Sequence, residues 1–243
     1  KRLSTPVTTG NSYTVAVAIE AVREAARQME IVLSETKAAV VGATGAVGSV
    51  CAQLLARDVA EMVLVGKRLP RLEEVKVHVQ AVGGAHVSLA TEIEAIKEAD
   101  LIITVTSAIE TIIEPHHLKP GAVVLDVARP RDVSRQVVEE RNDVLVIEGG
   151  MVEVPGPVDF GFDFGFPPKM AYACMAEVMI LALEGRYESY TLGRDITVEQ
   201  VEEIASLAAK HGFRLGGFRS FECAVTGEEV ESIKENAHRR KGH

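Results

Sequence analysis

The chain has 243 residues, 47% hydrophobic and 25% charged, and a formal net charge of −9 at pH 7. This length and balance are typical of a globular protein with one large domain, and an acidic charge without a basic stripe argues against nucleic-acid binding. Three cysteines without CxxC spacing predict neither a disulfide framework nor a metal site. No apolar run is long enough to span a membrane and no signal peptide opens the chain, so we predict a cytoplasmic protein.

Short apolar strands alternate with helices along the chain. A helix over residues 13–29, with Ser12 as its cap, is predicted before the first strand, which Val40 and Val41 close. Further strands are predicted over residues 62–65, 87–89, 101–105, 122–126 and 144–147, and helices over 46–57, 70–83, 92–98, 132–141, 168–183, 198–210 and 228–240. Thr197 and Thr226 are predicted to cap the last two helices. This order predicts the α/β class, with a doubly wound parallel sheet of the Rossmann type and flanking N- and C-terminal helices.

The first strand turns into a helix through three glycines, at Gly42, Gly45 and Gly48. In such a turn, backbone N–H groups can meet a pyrophosphate while the helix dipole favours its negative charge. The spacing is GxxGxxG, so the prediction depends on the complete βαβ unit around it. The predicted cofactor-binding residues of this turn are Gly42, Thr44, Gly45, Ala46, Val47 and Gly48.

The second strand ends in cations at Lys67 and Arg68, where an NAD site carries a carboxylate for the ribose 2′-hydroxyl. A guanidinium can hold a 2′-phosphate through a bidentate contact, which a carboxylate would repel. The pattern favours NADP(H), with Arg68 first and Lys67 and Arg71 behind it. The alternative is that these are solvated cations at a strand end.

Turns that follow the later strands are the other places where a doubly wound sheet holds its ligand. Thr106 and Ser107 follow the fourth strand, and Gly149 and Gly150 follow the sixth. We include all four among the cofactor-binding residues. Alternatively the two hydroxyls cap a helix, and the two glycines form a plain turn.

Cys174 lies in the helix predicted over residues 168–183, which follows a loop leaving the active edge of the sheet. Its thiol could face the cofactor, with Lys169 favouring the thiolate, or it could be inert filler on an apolar helix. The other cysteines and the paired histidines are predicted to be structural or solvated: Cys51, Cys223, His116 and His117.

Five segments in the same order resemble the long-chain acyl-[acyl-carrier-protein] reductase family. They are TTGNSYT at residues 8–14, VVGATG at 40–45, EGGMVE at 148–153, ACMAE at 173–177 and LGR at 192–194. The resemblance covers the C-terminal, NADP-binding part of those proteins. It implies that NADPH reduces an acyl thioester to an aldehyde, that Cys174 carries the acyl group as an enzyme thioester, and that the partner is an acyl-carrier protein or a CoA thioester.

The chain also departs from that family. Val154 stands where the family has a histidine, residues 126–131 replace a GGYPKN-like turn, and the family's N-terminal domain has no counterpart. We therefore interpret residues 1–36 as a loop and helix left from a missing upstream domain. Residues 37–168 are predicted to be the NADP-binding Rossmann domain, and residues 169–243 a helical segment packing on it.

Two other functions stay open, namely an NADP-dependent dehydrogenase of the shikimate or amino-acid type and a non-catalytic NADP(H)-binding module. The sequence also leaves open whether copies of this chain form a homo-oligomer. An acidic carrier would need a local cationic patch in order to bind this acidic chain. The alternative is that the candidate side chains are simply solvated. The candidates are Arg214, Arg219, Arg239, Arg240 and Lys241.

Overall fold

A computed structural model describes residues 5–162 and 165–242. Residues 1–4, 163–164 and 243, which belong to the three predicted parts of the chain, lie outside the described residues. The helices are α1 (Asn11–Gln28), α2 (Ala46–Leu55), α3 (Leu69–Val82), α4 (Arg135–Glu140), α5 (Ala173–Leu183), α6 (Val198–His211) and α7 (Gly227–Lys241). The strands are β1 (Lys37–Val41), β2 (Glu61–Val65), β3 (His86–Ala90), β4 (Leu101–Thr104), β5 (Val123–Asp126), β6 (Leu145–Glu148), β7 (Met151–Glu153), β8 (Met170–Tyr172), β9 (Arg214–Leu215), β10 (Phe218–Ser220) and β11 (Cys223–Val225).

Six parallel strands form the main sheet in the order β3-β2-β1-β4-β5-β6. The strand order reverses between β1 and β4, which creates a crevice at the carboxyl ends of these two strands. Four of the strands, β1, β4, β5 and β6, are almost wholly buried runs rich in Val, Ile and Leu, as expected for a sheet covered on both faces. The prediction of a doubly wound, Rossmann-like α/β fold is confirmed.

Alternate residues of β1 point into two separate cores. Ala38 and Val40 pack with α1 and α2 on one face, whereas Ala39 and Val41 pack with the short 3₁₀ turn Ile93–Ile96 on the other. Helix α1 also contacts α5 and α6. The N-terminal helix therefore joins the sheet to the C-terminal helices.

Helices α6 and α7 begin where the sequence predicts them. Thr197 and Thr226 each form a capping box with the residue three positions later, Gln200 and Glu229. The prediction for Ser12 is wrong, because Gly10 occupies the N-cap of α1 with a φ of 73°. The Ser12 side chain is buried inside the protein.

The segment after residue 168 differs most from the prediction. Residues 170–172 form β8, which pairs antiparallel with β7, so the helix begins at Ala173 rather than at residue 168. Strand β9 completes a three-stranded sheet with β7 and β8, and β10 pairs with β11. Residues 169–242 thus contain four short strands in addition to the three predicted helices.

No helix in residues 5–162 and 165–242 has the length and apolar character of a membrane span. Within the same residues, no group of three or more His, Cys, Asp or Glu side chains is arranged to hold a metal ion.

Candidate functional site

The glycine turn lies between β1 and α2, in the crevice where the strand order reverses. Gly42 has a φ of +82°, and a Cβ there would lie 2.6 Å from the carbonyl oxygen of Val105. A Cβ at Gly48 would lie 2.4 Å from the carbonyl oxygen of Gly42. Both positions therefore require glycine, because the backbone of the turn packs closely against itself and against the end of β4.

The start of α2 is suited to bind an anion. Gly45 is the N-cap of α2 and provides no side-chain cap, so the first N–H groups of the helix, including those of Ala46 and Val47, point to the turn. Gly45 is exposed, and Thr44 beside it is half-buried. A pyrophosphate fits this place chemically, since backbone donors and the positive end of the helix converge on it.

Lys67 and Arg68 are exposed between β2 and α3, at the carboxyl edge of the sheet. Arg68 is the N-cap residue of α3. Arg71 forms an ion pair with Glu74, with 2.8 Å between the guanidinium nitrogen and the carboxylate oxygen. No ion pair joins Lys67 or Arg68 to another residue in the described part of the chain. These two cations are therefore more available to a phosphate than Arg71.

Two buried aspartates hold the loops after β4 and β5. Asp132 accepts hydrogen bonds from the hydroxyls of Thr104 and Thr106 and, over 2.9 Å, from the backbone N–H of Thr106. Asp126 accepts three backbone N–H groups, each over 3.0 Å. Burial raises the pKa of Asp126 to about 6, against the lowering effect of its N–H partners.

Thr106 and Ser107, the two hydroxyl residues predicted to contact the cofactor, lie in different environments. The Thr106 hydroxyl is engaged by Asp132 and also accepts from the N–H of Ala108 over 3.1 Å, so it organises the turn. Ser107 is exposed. Of the two side chains, that of Ser107 is the one open to a ligand.

Gly149 and Gly150 connect β6 to β7. A Cβ at Gly149 would lie 2.8 Å from the Val127 side chain, so this glycine allows the chain to pass close to the loop after β5. The carbonyl oxygen of Gly150 accepts a hydrogen bond of 2.6 Å from the N–H of Ala173. The first residue of α5 is thus tied directly to the carboxyl edge of the sheet.

Cys174 is the second residue of α5 and is exposed. It lies in the first turn of the helix, not in mid-helix as the prediction of a start at residue 168 implied. Its backbone contacts the start of α1, because a Cβ at Gly10 would lie 2.3 Å from the Cα of Cys174. Partial burial raises the pKa of the Cys174 thiol, and nearby Glu177 adds to this, while the backbone N–H groups of residues 174 and 175 act in the opposite direction.

A buried carboxylate, Glu177, lies one turn after Cys174 and joins distant parts of the chain. One of its oxygens accepts from the hydroxyls of Thr8 and Thr191, the latter over 2.6 Å. The other accepts from the Ser12 hydroxyl over 2.6 Å and from the Tyr13 N–H over 2.8 Å. Two of the segments that carry the family resemblance, TTGNSYT and ACMAE, therefore meet at this one side chain, together with Thr191, the residue before LGR.

The remaining candidates are the other two cysteines, the two histidines and the cations considered for a carrier. Cys51 is buried in α2, and Cys223 is exposed in β11. The prediction that both histidines are solvated is wrong for His117, which is buried and accepts the N–H of Glu114 at its Nδ1 over 3.0 Å. Several of the cations considered for a carrier already have acidic partners, as with Arg214 and Glu153, and Arg240 and Asp143.

A family model described as "Shikimate / quinate 5-dehydrogenase" matches residues 23–148, which make up over half of the chain and include all six strands of the main sheet. The chain belongs to this family. The match includes the glycine turn, Lys67 and Arg68, and the loops after β4 and β5, but it ends before Cys174.

Two curated proteins extend the similarity beyond the sheet. The "Long-chain acyl-[acyl-carrier-protein] reductase" of Synechococcus elongatus is 34% identical over 215 residues, which cover 85% of this chain and 61% of that protein. "Aminotransferase PigE" of a Serratia species is 31% identical over 237 residues, which cover 96% of this chain and 28% of that protein. The resemblance to the acyl reductases is confirmed, and the chain spans less than two thirds of either relative.

Among solved structures, the glutamyl-tRNA reductase of Methanopyrus kandleri is 15% identical with a TM-score of 0.42, covering 99% of this chain and 45% of that one. The fold, the family and the curated relative together make this chain a Rossmann-like oxidoreductase that binds NADP(H).

Proposed function

We propose that this chain reduces an acyl thioester, carried by an acyl-carrier protein or by CoA, to an aldehyde at the expense of NADPH. The observation that supports this best is the position of Cys174. It is an exposed thiol in the first turn of α5, and the residue before it is hydrogen-bonded to Gly150 at the carboxyl edge of the sheet. A nucleophile beside the nicotinamide end of a dinucleotide site is the arrangement that covalent reduction of a thioester requires.

The reaction proceeds in two stages at Cys174. The thiol loses its proton, its sulfur attacks the thioester carbonyl carbon, a new C–S bond forms, and the carrier leaves as a thiol after taking up a proton. NADPH, when bound, would supply a hydride to the carbonyl carbon of the enzyme thioester at Cys174 and would be left as NADP⁺. The C–S bond to Cys174 then breaks, which releases the aldehyde and regenerates the thiolate.

We further propose that the start of α1 supplies donors to the oxyanion. Gly10 contacts Cys174 directly, and the N–H groups of Asn11 and Ser12 belong to the first turn of α1. The Ser12 hydroxyl is already used by Glu177, so its backbone N–H is the donor in question. The alternative near Gly150 is less favourable, because the carbonyl oxygen of Gly150, rather than an N–H group, is directed to α5.

Trapping the acyl group tests the proposal. The protein is incubated with acyl-CoA and acyl-carrier-protein thioesters without NADPH, and its peptides are then analysed by mass. We expect one acyl adduct, on the peptide that contains Cys174. When NADPH is added, this adduct should disappear and aldehyde should form. An adduct on Cys223 instead, or no adduct with either carrier, contradicts the proposal.

For the cofactor, we propose that the pyrophosphate binds at the glycine turn, through Gly42, Thr44, Gly45, Ala46, Val47 and Gly48. Lys67 and Arg68 hold the 2′-phosphate, Ser107 and the turn at Thr106 line the central part of the site, and Gly149 and Gly150 approach the nicotinamide. We also propose residues 37–168 as the NADP-binding domain and the segments on either side of it as the parts that build the cysteine site.

Replacing Arg68 by alanine tests the cofactor assignment. We expect the Kd for NADPH to rise about ten- to a hundredfold, because a charge-assisted contact to phosphate is lost, while the Kd for NADH changes little. Fluorescence titration of the two cofactors measures both values. Arg71→Ala is the matched control, since Arg71 already pairs with Glu74. Equal weakening of NADPH and NADH binding in Arg68→Ala would contradict the assignment.

The family match supports a second candidate function. In this function the protein is a dehydrogenase that oxidises a secondary alcohol with NADP and needs no thiol. Reduction of NADP by shikimate or a related hydroxy acid that persists in Cys174→Ala would favour this function. A third, non-catalytic role would show as NADPH binding without turnover of thioesters or alcohols.

A further inference from the structure

The loop that joins β10 to β11 has an unusual backbone. Ser220 pairs with Cys223, so Phe221 and Glu222 form a two-residue hairpin loop, and their φ angles are 46° and 69°. Hairpin loops with positive φ at both positions favour Asn and Gly, because in this conformation a Cβ crowds the following carbonyl oxygen. Strain of this kind persists where the surrounding structure holds it, and it is concentrated at functional sites. The hairpin tip, residues 220–223, must therefore be held by contacts outside the loop.

Two arginines, from the loop after β5 and from α4, hold the hairpin tip. The guanidinium carbons of Arg131 and Arg135 lie 5.2 and 5.4 Å from the centre of the Phe221 ring. The same ring packs against the core on the face of the sheet opposite to α1. The Glu222 carboxylate lies 2.6 Å from a guanidinium nitrogen of Arg131. These cation–π and ionic contacts offset the strain and fix the tip against the carboxyl edge of the sheet.

Arg131 connects the hairpin tip to Glu148, the last residue of β6. The guanidinium nitrogen that pairs with Glu222 also lies 2.8 Å from a carboxylate oxygen of Glu148, and Nε of Arg131 donates to this oxygen over 2.9 Å. The backbone N–H of Glu222 donates to the same oxygen over 3.4 Å, and Arg129 lies 3.5 Å from the other oxygen. The Glu148 side chain is only 9% exposed, so these donors compensate a carboxylate that is largely removed from water. The position of Glu148 thus depends on the hairpin tip.

The same contacts reach the turn that the proposed function assigns to the nicotinamide. Glu148 is followed directly by Gly149 and Gly150, which have no side chains to fix the turn themselves. Arg131 is followed by Asp132, whose carboxylate holds the loop after β4. The hairpin tip is therefore connected, through Arg131, to the loops at the ends of β4, β5 and β6.

We infer that Phe221 and Glu222 are positioning residues for the nicotinamide end of NADPH. Acting through Arg131 and Glu148, they hold the turn after β6 in place, and the rate of hydride transfer depends on that placement. The part of this inference that concerns hydride transfer rests on the proposed function. The part that concerns the cofactor rests on the contacts at the edge of the sheet.

The cysteine site has separate support. Gly10 contacts the backbone of Cys174, and Glu177, one turn later, is bound by Thr8 and by Ser12 of α1. The hairpin tip takes part in none of these contacts. Loss of the tip contacts should therefore slow hydride transfer more than acyl transfer to Cys174.

The test replaces the hairpin loop by a sequence that its backbone favours, in the double variant Phe221→Asn, Glu222→Gly. This change relieves the strain but removes the ring and the carboxylate, so the hairpin should be retained while its contacts to Arg131 are lost. Hydride transfer to an acyl-enzyme formed beforehand at Cys174, measured in a single turnover, should slow about tenfold or more, with the acylation rate within about twofold. Circular dichroism and thermal denaturation check that the variant is folded.

A milder variant removes only the charge of the hairpin tip. Glu222→Gln should slow hydride transfer about threefold, because one of two ionic partners of Arg131 is lost. Glu188→Gln is the matched control. Glu188 is 66% exposed, against 71% for Glu222, and pairs with Arg186 over 3.0 Å after the far end of α5. It should keep the wild-type rates of both steps.

Two measurements need no reaction. Without NADPH, deuterium exchange followed by mass should increase in the double variant in peptides from residues 127–133 and 145–153, but not in the peptide that covers α5. With NADPH bound, the enhancement of nicotinamide fluorescence should fall. The Kd should stay within about threefold, because the proposed phosphate contacts lie in the glycine turn and after β2.

Equal slowing of acylation and hydride transfer in the double variant overturns the inference, as do wild-type exchange and fluorescence. Absence of acylation of the wild type by any thioester would refute the proposed function. In that case, increased exchange with lowered fluorescence still supports the positioning role of the hairpin tip, and unchanged values overturn it.

Discussion

Replacing Cys174 by alanine is expected to lower aldehyde formation by about a thousandfold or more, because the proposed route carries the acyl group on this thiol. The Kd for NADPH should stay within about twofold, because the proposed phosphate contacts lie in the glycine turn and after β2 rather than on α5. The measurements are capture of the aldehyde, NADPH consumption and a fluorescence titration. Cys223→Ala, which removes another exposed thiol, should behave as the wild type. Retention of aldehyde formation in Cys174→Ala would exclude the covalent route.

The pH dependence of alkylation at Cys174 is a second measurement of the properties of this thiol. Burial and Glu177 raise the pKa of this thiol above its ordinary value, so at neutral pH the thiol is more fully protonated than a free cysteine. Alkylation by iodoacetamide should therefore increase with pH and reach its half-maximal rate at a higher pH than for a cysteine in a short peptide blocked at both ends. A midpoint below that of the free thiol would mean that the helix N-terminus outweighs the other two effects.

The sequence predicted the parts of the molecule that depend on local pattern. Apolar runs bounded by glycines and polar residues gave the six parallel strands, and Thr197 and Thr226 gave the starts of two helices. The glycine turn was predictable because its spacing reflects close backbone contacts, such as the one between Gly48 and the Gly42 carbonyl. These features are determined within a few dozen residues of chain.

Features that depend on distant partners were missed. Residues 170–172 belong to an apolar run that suits a helix or a strand, and only pairing with β7 decides for a strand. That pairing moves Cys174 from mid-helix to the first turn of α5. The sequence included Glu177 in the ACMAE motif but did not predict its role, because its partners Ser12 and Thr8 lie 165 and 169 positions away along the chain. No spacing rule connects residues so far apart.

Removal of the Glu177 side chain is expected to destabilise the protein and to disorganise the cysteine site. In Glu177→Ala, the Tyr13 N–H and the hydroxyls of Ser12 and Thr191 lose a buried acceptor, and a cavity remains. We expect a loss of about 3 kcal/mol or more in the free energy of unfolding, and a fall in Tm of about 6 °C or more. Chemical denaturation and calorimetry measure these values.

Glu177→Gln separates the charge of this residue from its packing. The amide can place its oxygen toward the Tyr13 N–H and its NH₂ group toward the Thr8 and Thr191 hydroxyls, which can rotate to accept. Glu177→Gln should therefore stay folded, with a smaller loss of stability than Glu177→Ala. Because the carboxylate raises the pKa of Cys174, its removal should shift the alkylation midpoint to lower pH. A midpoint equal to that of the wild type would mean that Glu177 positions the N-terminal segment against α5 without acting on the thiol, and equal destabilisation by Gln and Ala would show that the hydroxyls cannot reorient.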